Sequence, residues 1–450
     1  MQIDSNIFKA YDIRGIYPSQ INEKIAVSIG QAFITFTRAK KVIVGRDMRQ
    51  SSLPLFNGVT HGIITSGKDI LDIGLVSTDQ FYYSCATQNL PGIMITASHN
   101  PAEYGGFKMI KKMPCVIGNT TGLQQIQKII ETEKFHYADR TGTIQVCNLK
   151  DDFVKFALNL IDANSITPIQ IAVDARSGMV GPISQKVFNS LPVNVSGFNL
   201  KANGKLPSGQ GLDPKQPQNH VELQKYVVDN NADVGFAFDG DGDRFFVVDD
   251  RGKFVPSDFI IALIAKYLLQ KHPKSSIIYD VRGSWAIRDT IEIHNGIPII
   301  ERVGHSFIKP TMMKQNAIFG GEGSGHYYFR DFFYADSGII PALILTEILS
   351  KTREKLSTLL LPFEKKYFLS EEVNIEIKNN DADTKIDAIR QRYQQSATVN
   401  DLDGLSVEFN DWHFNLRKSN TEPLIRLNLE AKSSQLMTTK LAEITKLLRS

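Results

Sequence analysis

The chain has 450 residues, with 51 lysines and arginines against 48 aspartates and glutamates, a formal net charge of +3. That near balance excludes a protein built to coat nucleic acid or an anionic membrane, so any anionic ligand must be met by local groups. The length fits about three domains, or four small ones, and the three cysteines, Cys85, Cys115 and Cys147, are far apart without metal-ligand spacing, which reads as reduced, buried thiols of a cytoplasmic protein.

The opening stretch MQIDSNIFKAYDIRG lacks the apolar run of a signal peptide, and the most apolar helix candidate, DFIIALIAKYLL, is short and contains Lys266, so neither targets nor spans a membrane. Next comes VIVGRDMR, an apolar strand ending in Asp, one residue, then Arg49; the same pattern returns in IAVDAR, ending at Arg176, and in IIYDVR, ending at Arg282. The intervals are those of a small domain repeated three times, and the helical stretches between them, such as DFIIALIAKYLLQK behind a cap at Ser257 and Asp258, argue for α/β units with mixed, largely parallel sheets. The last eighty or so residues differ: EEVNIEIK and LIRLNLEA alternate as half-buried strands, and QLMTTKLAEITKLLRS reads as an amphipathic helix, together a smaller α+β unit. Expected boundaries divide the chain into 1–150, 151–253, 254–366 and 367–450.

Four stretches carry chemistry. In ITASHNPAEYGGFKMI, Ser98 follows Ala97 and precedes His99, which is not the G-x-S-x-G elbow of a serine hydrolase. Neighbouring side chains point apart along an extended chain, so His99 is not expected to serve Ser98 as a base. In VGFAFDGDGDRFFVVDD, Asp239, Asp241 and Asp243 share one face, and Gly240 and Gly242 allow the curl that brings three carboxylates onto one ion. Hard oxygen ligands select Mg²⁺ or a similar cation over zinc. An EF-hand is excluded, because Arg244 stands where its loop needs glycine and Asp250 where it needs glutamate; Arg244 is instead expected to offset part of the acidic charge. GGEGSGHYYF sets Glu322, Ser324 and His326 at alternate positions, a spacing suited to a polyol, and RKSNTEPLIR brings Arg417, Ser419, Asn420, Thr421 and Arg426 around a turn, the inventory of a phosphate clamp.

Taken together, TASHNP, DGDGDR, GEGSGH and RKSNTEP, in this order and supported by YDIRG and VGHSFIK, resemble the α-D-phosphohexomutase family, nearest its bacterial phosphomannomutase/phosphoglucomutase branch. The resemblance spans nearly the whole chain. It implies three similar α/β domains and a smaller C-terminal α+β domain around a central cleft: a phosphoserine-bearing domain, a Mg²⁺-binding domain, a sugar-recognition domain and a phosphate-binding domain. It also implies an isomerase interconverting mannose 6-phosphate and mannose 1-phosphate, and also glucose phosphates, through a hexose 1,6-bisphosphate.

On this resemblance Ser98 is the phosphoryl carrier and completes a Mg²⁺ site with Asp239, Asp241 and Asp243. Arg14 and Lys108 steady the transferring group, and Lys108 or His326 handles the hydroxyl proton. Tyr11, Arg282, Gly304 and His305 line the substrate site, Glu322 and Ser324 read the sugar hydroxyls, and Arg417, Ser419, Asn420, Thr421 and Arg426 hold the distal phosphate. Two positions depart from the family pattern: Gly323 stands where methionine or glutamine is usual, and Arg282 where lysine is common. The expected partners are small hexose phosphates, with no nucleic acid or membrane, for a monomer or weak dimer. The competing readings are a phosphoglucosamine mutase, a phosphatase in which the phosphoserine hydrolyses because water is not excluded, and a catalytically silent sugar-phosphate binding protein; the intact Ser98, the three aspartates and Lys108 argue against the last.

Overall fold

The computed structural model describes residues 3–377, 381–418 and 424–449. The chain forms two compact units. The first runs to Val255 and takes in Met312–Asn316 and Ser324–Leu356; the second consists of Pro256–Thr311, Ala317–Gly323 and the chain from Ser357 onward.

Two sheets lie in the first unit. One holds β1 (Ile13–Ile16), β2 (Lys41–Arg46), β3 (Asp69–Leu75), β4 (Gly92–Ile95), β5 (Tyr104–Lys112), β6 (Cys115–Val116) and β7 (Ile144–Val146), in the order β1-β5-β4-β2-β3-β7 with β6 on β5. From β4 to β7 neighbours run parallel, while β5 and β1 return antiparallel. The other holds β8 (Gln170–Asp174), β9 (Asn194–Phe198), β10 (Val234–Phe238), β11 (Phe245–Asp249) and β12 (Phe254–Val255), in the order β12-β11-β10-β8-β9. Again the central pairs, β8 with β9 and with β10, are parallel, and β11 and β12 are antiparallel returns.

The same plan begins a third time in the second unit, where β13 (Ser276–Asp280) lies between β14 (Ile297–Glu301) and β15 (Phe319–Gly321), all parallel. An antiparallel pair, β16 (Tyr327–Phe329) with β17 (Ala335–Asp336), belongs to the first unit. The C-terminal sheet is wholly antiparallel: β18 (Phe368–Leu369), β19 (Val373–Glu376), β20 (Thr398–Asn400), β21 (Leu405–Glu408), β22 (Trp412–Lys418) and β23 (Leu424–Ala431), in the order β18-β23-β22-β21-β20 with β19 on β23. Helices Ala382–Tyr393 and Ser434–Arg449 bring Ile386, Ile389, Ile444 and Leu448 into its apolar core.

The three D-x-R segments form one device used three times. Strands β2, β8 and β13 each end at or beside an aspartate whose Oδ1 accepts the backbone N–H of the arginine two residues on, at 3.0 Å for Asp47 and Arg49, 2.9 Å for Asp174 and Arg176 and 2.8 Å for Asp280 and Arg282. Each of these strands pairs in parallel with another, β4, β10 or β15, that runs out into one of the motif loops. The chemistry-bearing stretches around Ser98, Asp239–Asp243 and Glu322 therefore occupy equivalent places in successive repeats.

Two local expectations are corrected. Pro256 takes the N-cap of the helix Ser257–Lys271, so Ser257 and Asp258 open the helix rather than cap it; a proline without an N–H loses nothing at a helix start. Cys115 is exposed and Cys147 partly so, because both lie at the thin edges of the first sheet, and only Cys85 is buried; all three are free thiols.

In the first core, α1 (Glu23–Thr37) crosses α2 (Ser52–Thr65) at close backbone approach, made possible by Gly30, Gly58 and Gly62. A Cβ added to Gly62 would stand 2.1 Å from the carbonyl oxygen of Val27, a contact the backbone can relieve only by moving one helix. Gly62→Ala is expected to lower unfolding stability by about 1–3 kcal/mol in a denaturant titration, despite the better helix propensity of alanine. An unchanged midpoint would show that the helices separate freely.

Candidate active site

Ser98 lies in the β4–β5 hairpin loop, where its φ of 52° puts it in the left-handed region. Side chains bearing a Cβ avoid this region, so the loop must hold it there. Its N–H donates to Thr96 Oγ1 at 2.9 Å, and its hydroxyl, buried, donates to Asp239 Oδ2 at 2.9 Å. The curl also brings His99 Nδ1 within 3.2 Å of Ser98 Oγ. This corrects the expectation for His99, which presumed an extended backbone; in the left-handed conformation the two neighbouring side chains converge. Burial, with the charges of Arg244 and Arg14 adding to it, holds the His99 ring well below the usual histidine range and therefore neutral.

Asp239, Asp241 and Asp243 fill the β10–β11 hairpin loop and are almost wholly inaccessible. One oxygen from each lies within 4.8 Å of the others. The glycines allow the curl that the sequence led us to expect. Gly242 has a φ of 80°, and a Cβ on Gly240 would meet the Ser98 carbonyl oxygen at 2.7 Å. Asp239 Oδ1 accepts the backbone N–H groups of Gly242 and Arg244, at 3.1 and 3.2 Å. Thr78, the first residue of helix α3 (Thr78–Gln88), donates its hydroxyl to Asp241 Oδ2 at 2.7 Å.

The nearest positive charge is Lys108 on β5, with Nζ 2.7 Å from Asp241 Oδ2 and 2.5 Å from Asp243 Oδ2. Arg244, expected to offset the cluster, approaches Asp239 only to 3.9 Å. Burial acts to lower the Lys108 pKa, but Asp241 and Asp243 outweigh it and hold the ammonium protonated. For Asp239, burial and then the charges of Asp241 and Asp243 push the carboxyl well up; for Asp243, Lys108 and His326 overcome burial and hold it well down.

Does this group fit a metal? Three hard carboxylates converge, and Asp241 Oδ1 is buried without a hydrogen-bond donor among the described residues, so one ligand atom is left for a cation. The residues fit a divalent ion.

Around this centre in the first unit, Arg14 on β1 pairs with Asp12 at 2.7 Å and donates to Asn100 Oδ1 at 2.5 Å, within the serine loop. His326 sits with Nδ1 2.9 Å from Ser324 Oγ and Nε2 3.5 Å from Asp243 Oδ1. Tyr11 lies just ahead of β1, in the loop whose Ala10 carbonyl accepts the N–H of Asn119.

In the second unit, Arg282 pairs with Asp280 at 2.8 Å and stands 3.8 Å from Glu372; burial opposes its charge, and Asp280 outweighs burial. Gly304 has a φ of 119°, and its N–H donates to the buried Glu322 Oε1 at 2.7 Å, with His305 opening the next helix. Gly323, the departure from the family pattern, gives its N–H to Asp280 Oδ2 at 3.2 Å, a backbone contact indifferent to the side chain there. Arg417 and Arg426 face each other in register on β22 and β23. Arg417 lies 3.8 Å from Asp403, and Arg426 lies 3.4 Å from Glu372. Ser419, Asn420 and Thr421 lie outside the described residues.

Sequence reasoning missed Asp12, Thr78 and Asn100, which hold the reactive groups without carrying chemistry of their own. It noted Arg49 only as a repeat marker. Nothing in their spacing separates them from ordinary turn and cap residues; only the fold brings them to the site.

Asp79, next to Thr78, is fully buried, and burial raises its carboxyl to about 6 against hydrogen bonds from Ser77, Ser337 and the Gln80 backbone. From about pH 4 to about pH 6 the folded state therefore keeps a proton that the unfolded chain has lost, and stability falls as pH rises through that window. In metal-free protein, Asp79→Asn is expected to flatten this part of the stability profile, read from denaturant midpoints. A slope equal in both proteins would contradict the assignment.

Comparisons with known proteins accord with this arrangement. Sequence descriptions of the phosphoglucomutase/phosphomannomutase alpha/beta/alpha domains I, II and III match residues 5–137, 151–252 and 256–367, and that of the C-terminal domain matches 372–447. A phosphomannomutase of Escherichia coli is 37% identical over 453 aligned residues, covering 98% of this chain and 99% of that protein. A phosphomannomutase of Vibrio cholerae is 35% identical, covering 98% of each. The crystal structure of a phosphoglucomutase/phosphomannomutase family protein from Burkholderia thailandensis superposes with a TM-score of 0.90 at 29% identity, over 100% of this chain and 98% of that one. Among the described residues no helix is long and apolar enough to cross a membrane. The chain belongs to the phosphoglucomutase/phosphomannomutase family and is a phosphohexomutase, an enzyme of the isomerase class.

Proposed function

We propose that this enzyme interconverts mannose 6-phosphate and mannose 1-phosphate, and also the glucose phosphates, with Ser98 as phosphoryl carrier and a hexose 1,6-bisphosphate as intermediate. The observation that carries the reading is a buried serine hydroxyl 2.9 Å from one of three convergent carboxylates. The full-length likeness to phosphomannomutases supports it further.

In the proposed reaction a hydroxyl oxygen of the bound sugar phosphate attacks the phosphorus on Ser98. The new O–P bond forms as the bond to Ser98 Oγ breaks. After the bisphosphate turns over, Ser98 Oγ attacks the other phosphorus and regains a phosphoryl group, so phosphate is conserved. Such a transfer needs in-line positioning and charge stabilisation more than covalent assistance. Arg14 and the protonated Lys108 supply positive charge beside the transferring group, and His326 accepts the proton of the attacking hydroxyl. Asp239, Asp241, Asp243 and a phosphoserine oxygen would hold Mg²⁺, which when bound neutralises charge on the transferring phosphoryl. Glu322 and Ser324 are assigned to the C3 and C4 hydroxyls, Tyr11, Arg282, Gly304 and His305 to the rest of the sugar phosphate, and Arg417 and Arg426, with Ser419, Asn420 and Thr421, to the phosphate that is not reacting.

Intact mass of the purified protein is expected to show a phosphorylated fraction that maps to Ser98. Ser98→Ala should stay folded and lose nearly all mutase activity with mannose 1-phosphate and a trace of hexose 1,6-bisphosphate. Full activity in that variant would overturn the carrier assignment.

Substrate choice gives a second test. C3 and C4 have the same configuration in mannose and glucose, so a site reading those hydroxyls should accept both 1-phosphates. Galactose 1-phosphate, inverted at C4, should be poor, because a buried carboxylate would lose its partner. A difference in kcat/KM between the manno and gluco substrates beyond about a thousandfold, ~4 kcal/mol, would show that C2 is read directly. Preference for glucosamine 1-phosphate over both would favour the phosphoglucosamine mutase reading.

A further inference from the structure

The mechanism gives no role to one buried cation. Arg49 is 2% exposed at its side chain, and its guanidinium is spent on the serine loop. One terminal nitrogen donates to the carbonyl oxygens of Ser98 and Asn100, at 2.7 and 2.6 Å. The other donates to those of Pro101 and Tyr104, at 2.7 and 3.2 Å. The remaining nitrogen, Nε, faces Asp47 Oδ2 at 3.3 Å, and Asp47 is itself braced by Ser52 Oγ and by the Arg49 backbone. The planar fork thus clamps both ends of a single hairpin loop.

The equivalent arginine of the second repeat does a different job. Arg176 donates to the carbonyl oxygens of Gly211, at 3.0 and 2.6 Å, and Asn219, at 3.0 Å, in a segment that carries none of the reactive groups.

We infer that Arg49 is a positioning residue for phosphoryl transfer, holding Ser98 in its left-handed conformation through the loop carbonyls and so fixing the direction of Ser98 Oγ. The inference rests on the proposed function, since it gives Arg49 a role only if Ser98 carries phosphate. A serine at a φ of 52° sits outside the preferred regions, and its carbonyl is one of the four that Arg49 grips. Released, the backbone relaxes toward negative φ and Oγ swings away from Asp239. Lysine cannot replace the clamp, because one ammonium with three protons does not span four carbonyls in a plane. Arg49 is buried and spends its guanidinium donors on the loop carbonyls and on Asp47, so none is left for a substrate and substrate affinity should be spared.

The test compares the unaltered enzyme with Arg49→Lys, Arg49→Gln and, as a control for the shared D-x-R turn, Arg176→Lys. Each is assayed well below its melting temperature with mannose 1-phosphate and a trace of hexose 1,6-bisphosphate. Arg49→Lys is expected to lower kcat by about tenfold to a hundredfold with KM within about threefold, as for a misaimed reacting group. Arg49→Gln should fall at least as far. Arg176→Lys should melt lower to a comparable degree yet keep kcat within about threefold. The inference is overturned if Arg49→Lys keeps kcat within about threefold, if its loss merely matches that of Arg176→Lys, or if KM rises while kcat holds. Loss of the fold in both Arg49 variants would also count against it, since it would make Arg49 a core residue. An unaltered enzyme without mutase activity or phosphoserine would remove the proposed function and this inference together; an active one with undiminished Arg49 variants would remove the inference alone.

Discussion

Three carboxylates buried within one hairpin loop repel one another, and much of the first unit is arranged around that repulsion. Water is excluded from Asp239, Asp241 and Asp243, so their charge has to be met by protein groups or by a cation. The protein supplies an ammonium from β5, backbone N–H groups from the glycine-rich turn and a hydroxyl from the start of α3. These contributions come from two different repeats, so the acidic loop draws the first and second of them onto one point. Even so, Asp241 Oδ1 is left without a donor among the described residues. Three convergent carboxylates, one ammonium and one oxygen left over make a donor set that fits a divalent cation.

How much of this was legible in the sequence follows from which residues act through chemistry and which through position. Whereas Ser98 and Lys108 took their expected roles from the family resemblance, the three aspartates announce themselves, because a carboxylate triplet spaced by glycines is unusual and local. The threefold repeat was legible for the same reason: Asp, one residue, then Arg is a short pattern, and the turn it makes is local. His99 was misjudged because alternation along a strand was assumed where the chain turns left-handed, and nothing within the stretch itself declares that turn. The turn is imposed from outside, by Arg49 from the end of β2 and Arg14 from β1. Thr78 and Asn100 were invisible for a related reason, since each acts only across a tertiary contact.

The repeats show how one scaffold yields different chemistry. In all three, a strand ending in the D-x-R turn pairs in parallel with a strand that delivers a functional loop at its carboxyl end, the usual place for ligand groups in α/β sheets. The turn, or the chain just beyond it, touches the neighbouring functional loop each time, but by different atoms. In the first repeat it is the arginine guanidinium on the carbonyl of Ser98; in the second, not the turn itself but the N–H of Met179, three residues beyond the arginine, on the carbonyl of Gly240 at 2.9 Å; in the third, the aspartate on the N–H of Gly323. The contact is common to the three and its chemistry is not.

One property of the serine loop follows from how it is gripped. Within the loop the Arg49 guanidinium meets only carbonyl oxygens, and there it is blind to side-chain identity, since every residue offers the same acceptor. Apart from Thr96, whose hydroxyl takes the Ser98 N–H, His99, whose ring meets Ser98 Oγ, and Asn100, whose amide oxygen Arg14 engages, the loop's outline and its chemical content are therefore held by separate means. The exposed residues 101 to 103 can therefore change in character without the loop losing its form, so the fold can alter the surroundings of its reactive serine in small steps and keep the serine aimed throughout.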